Sequence, residues 1–68
     1  MNPELIALVQ MLSNHDWHFD HSDDHSVWKR GMAEHKAIHA EQIRLISEGV
    51  ATSEELTELM DKYRPKVS

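Results

Sequence analysis

The feature that most constrains this chain is an unbroken amphipathic run over residues 23–48, preceded by a helix-start signal and followed by a glycine. Ser22-Asp23-Asp24 reads as that start, because a hydroxyl can cap the first amides and carboxylates complement the positive end of a helix. Gly49 reads as its stop. A helix over 23–48 would be about 39 Å long at 1.5 Å per residue, which is long for a chain of this size. At 100° per residue Trp28, Met32, His35, His39, Ile43 and Ile46 fall within about 80° of one another, flanked by Val27, Ile38 and Leu45. That stripe is the predicted buried face. Lys29, Arg30, Glu34, Lys36, Glu41, Arg44 and Glu48 are predicted to face solvent. Gly31 lies near the apolar edge, where a missing side chain lets another helix approach closely despite about 1 kcal/mol of lost propensity.

Two shorter helices flank the long one. Asn2-Pro3-Glu4 offers a cap, a proline suited to the first helical position and an acid at the positive end. Leu5, Leu8, Val9 and Leu12 then keep helical spacing, which predicts a helix over about 3–12. Thr52-Ser53-Glu54-Glu55 is a capping box, and Leu56, Leu59, Met60 and Tyr63 form the next stripe, which predicts a helix over 53–64 ended by Arg64-Pro65. Lys66-Val67-Ser68 reads as a frayed tail. The expectation is all-α: one domain over 1–68, three helices with a long amphipathic one in the centre, and a His/Asp-rich connector over 14–22.

Such a chain needs something beyond its own core. A core of this size rarely supplies more than about 3–5 kcal/mol without a disulfide, a metal or a partner chain. The 68 residues include no cysteine, which leaves oligomerisation, the commoner solution, or a metal held by histidine and carboxylate. The first helix is too short to cover the long one. Either the third helix folds back over its far half or a second chain covers the remainder, so a homo-oligomer is expected.

The connector carries the densest chemistry. Between Asn14 and His25 stand four of the chain's six histidines, four aspartates, and the aromatics Trp17 and Phe19. Imidazole and carboxylate ligate borderline and hard cations, and histidine changes charge near neutral pH. One reading makes His15, His18, His21 and His25 ligands or proton-sensitive contacts. The other is a hydrated loop anchored by Trp17 and Phe19, with Asp23 and Asp24 serving the helix end. On the long helix His35 and His39 sit at i and i+4, which puts two imidazoles on one face. They read either as packed, hydrogen-bonded histidines or as a zinc or nickel pair. His21, His25, Asp24 or a symmetry mate would complete that pair, and His25, Asp24, His35 and His39 form the candidate metal set. Glu34 lies outside the His35–His39 pair, so no zinc-protease signature is present.

Several function classes are disfavoured. No transmembrane span fits, and the Met-Asn-Pro-Glu start lacks the basic region of a secretory signal, so the expectation is a cytoplasmic protein. The formal charge is −5 with neutral histidines, and protonating all six would turn it to +1. At neutral pH that modest acidity argues against binding along phosphate backbones. Lys62, Arg64 and Lys66 beside Tyr63 read as a solvated end, and Glu54, Glu55, Glu58 and Asp61 would repel phosphates from the last helix. A chain this short is expected to lack a substrate pocket of the usual ~300 Å³ or more, so no enzyme is expected.

Asp16-Trp17 followed by Ser22-Asp23-Asp24-His25-Ser26-Val27-Trp28-Lys29-Arg30-Gly31 resembles a pattern in small uncharacterised helical proteins encoded by bacteriophages and prophages. The resemblance covers about a quarter of the chain. It implies a structural role for Asp16, Trp17, Ser22, Asp23, Asp24, His25, Trp28 and Gly31, and no activity. It also implies a phage accessory protein that binds or inhibits a host component. The resulting expectation is a noncatalytic interaction module that self-associates through Trp28, Met32, Ile43 and Ile46. Trp28 is placed at the centre of the buried face, where truncation to alanine would cost about 3–5 kcal/mol.

Overall fold

The computed structural model describes residues 2–65, so the tail at 66–68 lies outside the described residues. Every regular element among them is helical. Asn2 accepts a hydrogen bond from the Glu4 amide and starts a single 3-10 turn at Pro3–Leu5, which continues into helix α1, Ile6–Asn14. Its last turn reaches two residues beyond the predicted end. Helix α2 spans His25–Ser47 and helix α3 spans Ser53–Tyr63.

The start of α2 is set two residues later than its sequence signal suggests. Asp24 is the N-cap, accepting hydrogen bonds from the Ser26 amide and hydroxyl, while the Ser22 hydroxyl accepts from the Asp24 amide one step earlier. These bonds hold the Asp24 carboxyl below the usual aspartate range, the Ser26 hydroxyl being the largest cause. Gly49, at φ 72°, stops α2 as expected. Its amide donates to Ile46 and that of Val50 to Leu45, the paired bonds that close a helix through a left-handed residue. The predicted capping box of α3 is present, with Thr52 and Glu55 bonded reciprocally.

The molecule is 39 Å in its longest dimension, and α2, about 35 Å at 1.5 Å per residue, runs most of that length. Its neighbours lie to one side. The connector packs beside the N-terminal half, α1 crosses the middle, and α3 folds back along the C-terminal half. Leu8 and Leu12 of α1, Ile38 and Leu45 of α2, Ala51 and Leu56 form the buried core, with Leu5, Met11, Trp17, Val50, Leu59, Met60 and Tyr63 packed on its margin. The inward line of α2 is therefore Gly31, Ile38 and Leu45, at i and i+7.

That line corrects the predicted phase of α2. Trp28, Met32, Ile43 and Ile46 are 41%, 47%, 51% and 43% exposed, and His35 and His39 are exposed with them. The residues expected to flank the buried face are its centre. The apolar arc of α2 is wider than three short elements on one side can cover, and the part they cover is the one bearing the glycine. A Cβ on Gly31 would stand 2.1 Å from Cγ of Phe19. The ring of a connector residue, rather than a second long helix, uses the close approach that Gly31 permits.

Candidate functional site

One connector histidine, His15, is turned inward against α2, while the three histidines of α2 itself, His25, His35 and His39, are exposed. The connector opens at His15, which leaves α1 in extended geometry. Asp16 then accepts from the His18 amide through its side chain and from the Phe19 amide through its carbonyl, turning the chain into a 3-10 helix at Phe19–His21. The His/Asp-rich connector, for which the sequence offered no helical period, thus contains a short helical turn. It carries Phe19 onto Gly31 and places the indole of Trp17 so that Nε1 donates to the Leu12 carbonyl at 3.1 Å, one of the acceptors left without an amide partner at the end of α1.

These turns bury His15, which is only 6% exposed. Its ring meets Trp17 edge-on with centroids 4.9 Å apart and lies 5.5 Å from both Phe19 and His35. Nδ1 lies 3.0 Å from Oε1 of Glu34, and Nε2 lies 3.5 Å from Nδ1 of His35, at the long end of hydrogen-bonding distance. Glu34, expected on the solvent face, supplies the acceptor that makes burial of the imidazole tolerable. Among the described residues no buried side-chain nitrogen or oxygen lacks a hydrogen-bond partner.

The other connector histidines do not join this centre. His18 and His21 are exposed, with ring centroids 6.3 Å apart and His21 Nε2 3.7 Å from Asp20. His25 stacks on Trp28 at 6.0 Å, and Asp24 is committed to the helix cap. The candidate metal set of His25, Asp24, His35 and His39 is thus not assembled within one chain, and among the described residues no three histidine, aspartate or glutamate side chains converge as ligands. His35 and His39 do stay together. They line one shallow depression with Met32, Ala33 and Lys36.

A groove of about 450 Å³ lies between α1 and α2, lined by Ala7, Gln10, Met11, Asn14, Glu34, Ala37 and Ile38. This overturns the size expectation, since two antiparallel helices with alanines at their crossing leave that space between them. Its chemistry is sparse. Glu34 is the single ionisable group on its wall, and Glu34 is already paired with His15. On the far side of α2, Arg44 bridges Glu41 and Glu48, which raises its guanidinium pKa and lowers that of the Glu41 carboxyl.

Sequence reasoning missed the roles of His15 and Glu34. They are 19 positions apart, and no periodic signal connects a loop histidine to a carboxylate on a helix. The exposed stripe of α2 was visible as a set of residues but was assigned to the wrong environment. Among the described residues no helix is long and apolar enough to cross a membrane. Compared with protein-family models, curated proteins and solved structures, the chain matches none.

Proposed function

We propose that this chain is a noncatalytic helical interaction module whose working surface is the exposed stripe of α2, and that its first partner is a second copy of itself. The observation that carries this reading is the alignment of Trp28, Met32, Ile43 and Ile46, each more than two-fifths exposed, along one face of the longest helix. Scattered apolar residues on a surface are ordinary, whereas an aligned row of large ones marks an interaction site. Trp and Met are also enriched where proteins meet. The resemblance to small phage and prophage proteins supports a cytoplasmic accessory protein that acts on a host component through the same face.

Light scattering during gel filtration tests the self-association. The wild-type chain at high micromolar concentration should run above its monomer mass of 7.9 kDa. Met32→Glu and Ile46→Glu should run as monomers with unchanged helical circular dichroism. A strict monomer for the wild type overturns the reading. For the host partner, a bacterial protein retained by the wild type should be lost with Met32→Glu.

A further inference from the structure

We propose a divalent-metal site at the self-association face, made by His35 and His39 of one chain and the same two residues of a second copy packed antiparallel, with zinc or nickel as the ion. It rests on the self-association just proposed. The two imidazoles stand one turn apart, at the spacing that lets a helix present two nitrogen ligands to one ion, and they border the same depression. One chain supplies only these two, because no third ligand converges on them among the described residues. A tetrahedral site is incomplete without the other copy.

The order of residues along α2 points to that second copy. About the level of Ala37 two pairs of the stripe mirror each other, Trp28 with Ile46 and His35 with His39, while Met32 mirrors Gln42, which donates to Met60 of α3, and Ile43 mirrors the buried Gly31. An antiparallel two-fold centred there sets each chain's large apolar ends against the other's and brings four imidazoles to the axis. Such an interface is isologous, the commonest kind in homodimers.

The buried centre prepares one of the ligands. A carboxylate beside Nδ1 of His15 calls for the proton on that nitrogen, and in that tautomer His15 Nε2 is free to accept an Nδ1 proton from His35 across the 3.5 Å between them. His35 Nε2 is then the nitrogen with the lone pair, and that nitrogen makes no hydrogen bond within the described residues. Metal-bound histidines are oriented in this way, by an acceptor on the ring's other nitrogen backed by a carboxylate. His15 and Glu34 act here as positioning residues. Lys36 borders the depression, and its flexible stem lets the ammonium swing away from the ion.

Sedimentation equilibrium of the untagged full chain, in chelator and with zinc or nickel sulfate, tests the site. Dimerisation in chelator should tighten at least tenfold with metal and saturate at one ion per two chains. His39→Ala should abolish that response and leave the chelator dimer within about threefold; His39 is exposed and lies outside the buried core, so its loss leaves that core intact. Glu34→Gln should weaken metal binding about tenfold. A nitroxide at Ser47→Cys should report a separation of about 30 Å between copies, from twenty residues of helix rise about the axis. Dimerisation that ignores metal overturns the site and leaves self-association standing. A monomer in every condition overturns both. One ion per chain without a change in mass, or a nitroxide separation near 10 Å, overturns the antiparallel four-histidine arrangement.

Discussion

The two apolar faces of α2 are made of similar residues and meet opposite fates. One face runs Gly31, Ile38, Leu45 and is sealed by Phe19, α1 and α3. The other, turned roughly 100° about the same helix, runs Trp28, Met32, Ile43, Ile46 and stays open. The open face holds the larger side chains. Hydrophobicity alone therefore does not decide which side of a helix is covered in a small domain. The sealed side is where a short element can come close, and closeness is set by the residue with no side chain.

Substitutions that treat the two faces alike should separate them sharply. Leu45→Ala should be the most damaging, costing about 2–5 kcal/mol, comparable with the whole stability of a domain this small. Urea denaturation followed by circular dichroism measures it, and a cost below 1 kcal/mol would mean that the inward line is misplaced. Gly31→Ala comes next. The added methyl enters the space of the Phe19 ring, so an overpacking cost of about 1–3 kcal/mol opposes a helix-propensity gain of about 1 kcal/mol. A net loss is expected, because the ring is held by the turn at Asp16, and pairing the substitution with Phe19→Leu should recover part of it.

On the open face the expected costs fall. Trp28→Ala should cost the isolated chain no more than about 1.5 kcal/mol, below the 3–5 kcal/mol of a buried tryptophan, because its ring is already substantially in water. The same variant should lose self-association in light scattering. If its stability loss matches that of Leu45→Ala at a concentration where the wild type is monomeric, the contrast between the faces fails. Lys36→Ala should change stability by no more than about 0.5 kcal/mol in the same urea assay.

The smallest effect concerns acid. The Asp24 carboxyl is held below its ordinary range by the Ser26 hydroxyl and amide, so its contribution to stability is fully present above the unfolded-state value and is lost as pH falls through the lower folded value. Helical signal followed below pH 4 should show this limb. Asp24→Asn, which keeps a capping amide oxygen but cannot ionise, should flatten it.

Much of the fold was legible in local chemistry. The caps at Asn2 and Thr52, the stop at Gly49 and the three apolar periods act within a few residues, so their physics is contained in the chain order itself. The candidate site was legible only as a pair, His35 and His39. The connector histidines share a segment but not an environment, because the turn at Asp16 sends His15 inward and leaves His18 and His21 outside.

The sequence by itself determined that this chain is helical, where its helices begin and end to within about two residues, and that α2 is apolar over a wide arc, since capping and periodicity are short-range effects. Only the tertiary structure decided which part of that arc is left over. It also decided that Glu34 serves a buried His15 and that His35 is the histidine turned between the interior and the open face. Those outcomes depend on contacts between residues about twenty positions apart. They arise from the angle at which a short connector crosses a helix and from the one glycine that lets it come close.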